Sequence, residues 1–203
     1  MSTNKPFAEV IESSLHGLLA QSWQWDYFPP FGSLIIIEGL HRTLFGIVYQ
    51  VQTGSMDPVR YPFAYQKTEQ ELLKEQPQIF EFLKTTFSCL ILGYQEKGKL
   101  FYLLAPEPPK IHSFITPASI ELSKRFFNRA NYLHLLFGFS HLVGNLDELL
   151  LAILKHKTEL NILTEEKLHQ FIQTYSLLTG NDYRRIKLFL QRAQHVANYG
   201  KEI

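Results

Sequence analysis

Residues 93–99 have the spacing of a phosphate-binding loop. The segment Gly93-Tyr94-Gln95-Glu96-Lys97-Gly98-Lys99 matches the G-x-x-x-x-G-K pattern, in which backbone amides and a lysine surround the phosphates of a nucleotide. The next residue is Leu100, where that loop needs Ser or Thr to hold magnesium, and residues 100–104 are typical of a strand rather than of a helix. The segment therefore predicts a β-hairpin with Lys97-Gly98 at or near its tip, and we expect no cofactor there.

Candidate nucleophiles lack the partners that catalysis needs. Cys89 lies in the apolar run Phe87–Leu92 with no base or positive charge beside it, which predicts a buried side chain. His112 is badly placed to activate Ser113, because adjacent residues of a strand point to opposite faces. The eight histidines include no pair four residues apart with a carboxylate between them. We therefore predict no catalytic residue, no metal ligand and no enzyme activity.

Basic residues cluster on two predicted helices of the C-terminal half. The last helix carries Arg184, Arg185, Lys187 and Arg192. An earlier helix carries Lys124, Arg125 and Arg129 off its apolar stripe. Such a face is usually only solvated, but it can also contact phosphates without reading bases. The four residues of the last helix are therefore the candidate nucleic-acid-binding residues of an alternative hypothesis, and no recognition-helix or RNA-binding motif accompanies them.

The segment Trp23–Phe31 concentrates aromatic side chains and leaves two interpretations open. If the side chains are exposed, they form an apolar patch of the kind that marks protein interfaces. If they are covered, the segment is a strand that closes the floor of a barrel.

The chain changes character near Pro117, which predicts two domains, residues 1–115 and 116–203. All ten prolines lie at or before this residue, and apolar residues take helical spacing after it. The predicted strands are Ser33–Glu38, Thr43–Gln52, Thr85–Gln95 and Lys99–Leu104. In the second of these, Phe45, Ile47, Tyr49 and Val51 are expected to face the core, and Gln50 and Gln52 to face water.

Helical pieces are predicted at Glu69–Gln76 and Gln78–Lys84, between the second and third strands. Short strands without regular helical crossovers predict a small β-barrel. The predicted helix caps and stops of the second half are Thr116 with Pro117, Asn145, Thr164, Gly180, Asn181 and Gly200. The whole pattern predicts an α+β protein: an N-terminal β-barrel with a helical insertion, followed by a C-terminal bundle of about four helices.

Composition excludes several classes of protein. The 203 residues are 45% hydrophobic and 19% charged, which excludes a disordered chain, and the net charge of +1 argues against a strong polyanion binder. No apolar stretch approaches the roughly 20 residues that span a bilayer, and the N-terminus has no secretory pattern. We expect a soluble cytoplasmic protein without membrane contacts.

Several stretches of the N-terminal half resemble a known barrel. They are Phe45–Tyr49, Pro58–Arg60 with Pro62 and Ala64, Glu75–Phe80, Thr85–Phe87, Leu92–Tyr94 and Pro106–Phe114. The segment Pro108-Pro109-Lys110-Ile111-His112 is the most specific of them. Together they resemble the HAS barrel, which is found at the N-terminus of HerA-type translocases and of ATP synthase catalytic subunits. Asp147–Leu150 and Asp182–Lys187 also look like helical segments that accompany stand-alone members.

The resemblance implies an assembly role rather than a reaction. In the translocases the barrel helps to assemble the ring and docks partners, whereas the nucleotide site lies in a following domain that this sequence does not match. We therefore predict a non-catalytic adaptor or assembly module that acts through protein–protein contacts, as a homo-oligomer or docked to a ring ATPase. The alternative is a nucleic-acid-processing accessory protein. No small-molecule substrate is inferred.

Overall fold

The computed structural model describes residues 5–57, 59 and 63–199. The strands in this part of the chain are β1 (Ala8–Ser13), β2 (Gly17–Ser22), β3 (Leu34–Glu38), β4 (Arg42–Ser55), β5 (Leu83–Glu96), β6 (Lys99–Phe101) and β7 (Phe114–Pro117). The α-helices are α1 (Glu69–Glu75), α2 (Gln78–Glu81), α3 (Ile120–Phe126), α4 (Tyr132–Gly138), α5 (Leu146–Glu159), α6 (Glu165–Leu178) and α7 (Tyr183–Tyr199). A 3-10 turn, Ser140–Leu142, separates α4 from α5.

Six strands form a closed antiparallel barrel. Each strand is hydrogen-bonded to the next in the order β2-β1-β7-β3-β4-β5, and pairing of β2 with β5 closes the ring. The short strand β6 forms a hairpin with the end of β5. Closure removes the exposed edges that an open sheet would present. The prediction of an α+β protein built from a β-barrel and helices is confirmed.

Two apolar clusters use opposite faces of the central strands. Leu44 and Val48 of β4 point into the barrel interior, together with buried residues from the other five strands. Phe45 and Ile47 point outward and are covered by the C-terminal helices. Both faces of this part of the barrel are therefore buried, and its outer face shares one apolar cluster with the C-terminal helices.

The expected alternation along β4 is confirmed as far as Tyr49, and Val51 faces a core as expected, but it faces the one inside the barrel. Phe45, Ile47 and Tyr49 lie on the helix-covered face as expected, and Gln50 is exposed. A bulge between Val48 and Gln50 inserts one residue into the pairing with β5, which reverses the alternation beyond it. Val51 therefore packs against the interior cluster.

The predicted helix start at Thr116 and Pro117 is wrong. Both residues belong to β7, where Thr116 pairs with Ile36 and Pro117 with Ile35. The helix begins at Ile120, and the Ser119 hydroxyl accepts a hydrogen bond from the Leu122 amide at 3.2 Å. Strand pairing extends the barrel two residues past the predicted domain boundary, and the division into two domains stays a prediction.

The caps of the later helices follow the predictions with one exception. The side chains of Asn145 and Thr164 accept hydrogen bonds from amides three residues on, as N-caps do. Gly180 has a φ of +65° just after α6, a conformation that glycine adopts without strain. The predicted cap at Asn181 is wrong, because the neighbouring Asp182 carboxylate accepts the hydrogen bond from the Arg185 amide.

Two short helices, α1 and α2, lie between β4 and β5. Thr68 and Glu71 form a capping box at the start of α1. The second predicted helical piece ends early, since Leu83 and Lys84 belong to β5. Five α-helices follow the barrel in the described part of the chain, where about four were predicted.

No helix among the described residues is both long enough and apolar enough to cross a membrane. The predicted helix stop Gly200 and three residues of the HAS-barrel resemblance, Pro58, Arg60 and Pro62, lie outside the described residues.

Candidate interaction surfaces

Residues 93–99 form the predicted hairpin. Glu96 pairs with Lys99 across the turn, and Lys97 and Gly98 both have positive φ, which is the geometry of a type I′ turn. No helix starts after the turn, so the dipole that would hold a phosphate is missing there. The guanidinium of Arg125 donates a hydrogen bond to the Gly98 carbonyl, and this contact ties the turn to α3.

His112 and Ser113 lie in a turn, so the prediction that they occupy adjacent strand positions is wrong. His112 has a φ of +67°, and its Nδ1 lies 2.5 Å from a carboxylate oxygen of Glu9. The Ser113 carbonyl accepts a hydrogen bond from the Val10 amide. Both residues therefore hold the loop before β7 against β1.

Cys89 is fully buried in the barrel interior, as predicted. Burial raises the pKa of its thiol far above the ordinary value, which keeps it protonated and unreactive. Among the described residues, no group of three or more His, Cys, Asp or Glu side chains is placed to hold a metal ion.

Trp23, Tyr27 and Phe114 form an exposed aromatic surface beside β1 and β7. The indole of Trp23 and the ring of Phe114 pack edge to face at 5.3 Å, and these residues are 53% and 54% exposed. Tyr27 packs edge to face on Phe7 at 5.6 Å, and Phe7 in turn stacks on Phe87 inside the barrel. The aromatic surface is thus anchored to the core beneath it.

The loop between β2 and β3 decides between the two interpretations of the aromatic segment. Residues 23–31 form no strand, so the interpretation as a strand on the barrel floor is wrong. Among the aromatic side chains of the segment, that of Trp25 is partly covered: it stacks on Phe80 of α2 at 5.4 Å, and the Trp25 carbonyl accepts a hydrogen bond from the Thr85 hydroxyl. Trp23 and Tyr27 belong to the aromatic surface, and Phe28 and Phe31 are exposed outside it.

Two of the four predicted nucleic-acid-binding residues are held in ion pairs. Arg185 contacts the Asp147 carboxylate through Nε at 3.1 Å and Nη2 at 2.8 Å, and this bidentate contact raises the pKa of the guanidinium. Arg192 lies 2.6 Å from Glu148, and its hydrogen bond lowers the pKa of that carboxyl. These contacts join α7 to the start of α5.

Arg184 and Lys187 differ from their neighbours on α7. Both are exposed, and neither forms an ion pair with any residue that the structure describes. The structure places the four predicted residues on α7, where Arg185 and Arg192 face α5, and of the four leaves Arg184 and Lys187 available to a phosphate.

A second basic region was not predicted as a site. Lys124 and Arg125 of α3 line a cleft together with Lys167 of α6. Beneath it lies Lys157 of α5, which is only 2% exposed. The spacing Leu150, Ile153, Leu154, Lys157 puts this lysine on the apolar stripe of its helix, which is the one sequence signal that would have singled it out.

Comparison with known proteins assigns no family. No protein-family model matches the chain, and no curated protein matches it. The resemblance to HAS barrels therefore stays a prediction.

Proposed function

We propose that the protein is a non-catalytic assembly module that works through protein–protein contacts at the aromatic surface. The observation that carries this proposal is the Trp23–Phe114 pair, in which two large rings pack on each other and still expose more than half of their area. Aromatic side chains supply much of the binding energy of interfaces, and Trp and Tyr are enriched among the residues that contribute most. A partner that covers this pair would remove a large apolar area from water.

The barrel supplies rigidity to this surface. Trp23 directly follows β2, and its amide donates a hydrogen bond to the Phe7 carbonyl at 2.9 Å. Phe114 is the first residue of β7, which pairs with both β1 and β3. Little conformational entropy is therefore lost when these rings are covered.

We further propose that the barrel is of the HAS type, with the helices α1 and α2 as its insertion and the helices after β7 as a C-terminal bundle. Six antiparallel strands in a closed ring support this assignment. It implies that the occupant of the aromatic surface is a second copy of the chain or a ring ATPase.

Replacement of Trp23 and Phe114 together by Ser is expected to abolish self-association, because the apolar contact area is lost while the backbone of β7 is unchanged. Light scattering after gel filtration, across micromolar concentrations, measures the mass of both forms. Leu177→Ser is the matched control, since Leu177 is 72% exposed on α6 and lies outside the surface. A parent chain that stays monomeric throughout would contradict self-association, and an oligomer that the double variant also forms would contradict the aromatic surface.

The alternative function is nucleic-acid binding through α7, and the unpaired charges of Arg184 and Lys187 favour it. Arg184→Glu with Lys187→Glu is expected to abolish binding of a fluorescent oligonucleotide, because both phosphate contacts become repulsive. Neutral replacements of the same two residues should reduce the slope of log affinity against log salt by about two.

Lys74→Glu with Lys110→Glu is the control, since it changes the net charge equally at exposed lysines of other regions. Equal losses in both pairs would indicate general electrostatics and contradict a site on α7. Arg185 is unsuitable for this test, because its loss would also remove the ion pair with Asp147.

A further inference from the structure

The cleft between α3 and the start of α6 concentrates positive charge. It has a volume of about 550 Å³, within the range of small-molecule sites. Its charged lining residues are three cations, Lys124, Arg125 and Lys167, and one anion, Glu121. Asn128 and Asn161 add amide donors to the same walls. Arg125 is partly engaged by the Gly98 carbonyl, which leaves the two lysines free to meet an anion.

A buried lysine lies under this cleft. The Nζ of Lys157 lies between the rings of Phe127 and Phe171, 5.6 and 5.7 Å from their centroids. Phe127 is the chain neighbour of Asn128, and Phe171 lies one turn after Lys167 on the same helix. The cleft residue Ile162 also donates its amide to the Lys157 carbonyl at 2.9 Å. Lys157 therefore lies beneath the wall of the cleft, next to residues that line it, and does not itself line the cleft.

Lys157 has no counter-charge among the residues that the structure describes. No carboxylate or hydrogen-bond acceptor contacts its ammonium group there, and the nearest named charge is the cation Lys167. Two aromatic faces attract a cation, but they do not replace the hydration that a buried ammonium group loses. A bound anion would supply the negative charge that the ammonium group of Lys157 lacks.

We infer that the cleft binds the phosphate group of a small phosphorylated molecule, with Lys124 and Lys167 at its walls and the buried charge of Lys157 beneath them. Phosphate fits these residues because compact ammonium groups bind it as point charges, as a phosphate-loop lysine does. The cleft has the volume of a small-molecule site, and its lining has only a small excess of positive charge. Both features favour a small ligand over a nucleic acid. This inference goes beyond the proposed assembly role and does not depend on it.

Titration calorimetry with pyrophosphate and with inorganic phosphate, at constant ionic strength, tests the inference. We expect saturable binding of pyrophosphate by the parent chain. Lys124→Ala and Lys167→Ala should each weaken it about tenfold, the loss expected for one charged contact. Lys157→Met should weaken it by a smaller factor, because the charge of Lys157 acts from beneath the wall, and it should raise the melting temperature, so that lost binding cannot be mistaken for lost folding.

Lys155→Ala is the matched control, because Lys155 is exposed on α5 and pairs with Glu159. It should bind pyrophosphate as the parent does. No saturable heat up to about 10 mM pyrophosphate would overturn the inference. Equal weakening in the control would also overturn it, and so would a single-stranded oligonucleotide that displaces pyrophosphate from the cleft and binds more tightly.

Discussion

Replacement of Phe126 by Ala should lower the free energy of unfolding by about 4 kcal/mol, the usual cost of removing a buried aromatic ring. Phe126 ends α3 and is fully buried. Its ring stacks on Phe45 of β4 at 5.0 Å and packs against Phe127 and Tyr132 on the helical side. Phe126 therefore lies at the junction of the barrel and the helices. Removal of its ring leaves a cavity that is bordered by both.

The same variant tests whether the barrel and the helices unfold together. Both tryptophans, Trp23 and Trp25, lie in the barrel half, so their fluorescence follows the barrel. Circular dichroism at the helical minimum follows mainly the C-terminal helices. In urea the two transitions should coincide in the parent and shift together in Phe126→Ala. A fluorescence transition that stays in place while the helical signal shifts would show two independent domains divided near residue 115.

Leu177→Ala is the control for this experiment. Leu177 is a large apolar residue of α6, but it is largely exposed. Its truncation should change the free energy of unfolding by no more than about 0.5 kcal/mol.

Replacement of Lys157 by Met should raise the free energy of unfolding by about 3 kcal/mol at pH 7. Methionine keeps the length of the side chain and its contact with the rings of Phe127 and Phe171, and it removes the buried charge. Burial, together with the nearby charge of Lys167, lowers the pKa of Lys157 from its ordinary value of 10.5 to about 8. A difference of this size corresponds to about 3 kcal/mol between the two protonation states.

The gain from Lys157→Met should shrink as the pH rises. Between pH 8 and pH 10.5 the unfolded chain holds the Lys157 proton and the folded chain has released it, so the parent becomes more stable with rising pH. Below pH 8 Lys157 is protonated in both the folded and the unfolded chain, and its buried charge then destabilises the parent by the full amount. The difference between variant and parent should therefore fall by about 2 kcal/mol from pH 7 to pH 9.5. The rings of Phe127 and Phe171 face the ammonium group of Lys157, and Lys167 of α6 is the charged group that acts on it.

Urea unfolding of the two proteins at several pH values measures this difference directly. The comparison is needed because burial also raises the pKa of Tyr132 and Tyr175, which destabilises both proteins alike once unfolded tyrosines ionise near pH 10. Lys155→Met, at an exposed position of the same helix, should show little gain and no trend with pH. A gain from Lys157→Met that is constant from pH 7 to pH 9.5 would contradict a lowered pKa.

Local patterns predicted the central strands and most of the helix caps. The strands β3, β4 and β5 are long or apolar runs between turn residues, and the hairpin at Lys97-Gly98 follows from a glycine at a turn position that requires positive φ. The strand β1 carries the sequence AEVIES, in which a bulge between Val10 and Glu12 interrupts the alternation. The strand β2 is short and holds no β-branched or aromatic residue. Neither strand has a strong local signal, and both are held by pairing with distant partners.

The candidate sites divide in the same way. The sequence alone determined that Cys89 is buried and that residues 93–99 turn a hairpin, because apolar runs and turn residues act through their neighbours in the chain. Only the tertiary structure decided that Arg185 and Arg192 are neutralised by the acidic start of α5, that Trp23 meets Phe114, and that Lys157 lies beneath a cleft. The two ion pairs join residues 38 and 44 positions apart, and Trp23 and Phe114 are 91 positions apart. Electrostatic and apolar energies depend on the distances that folding creates between such residues.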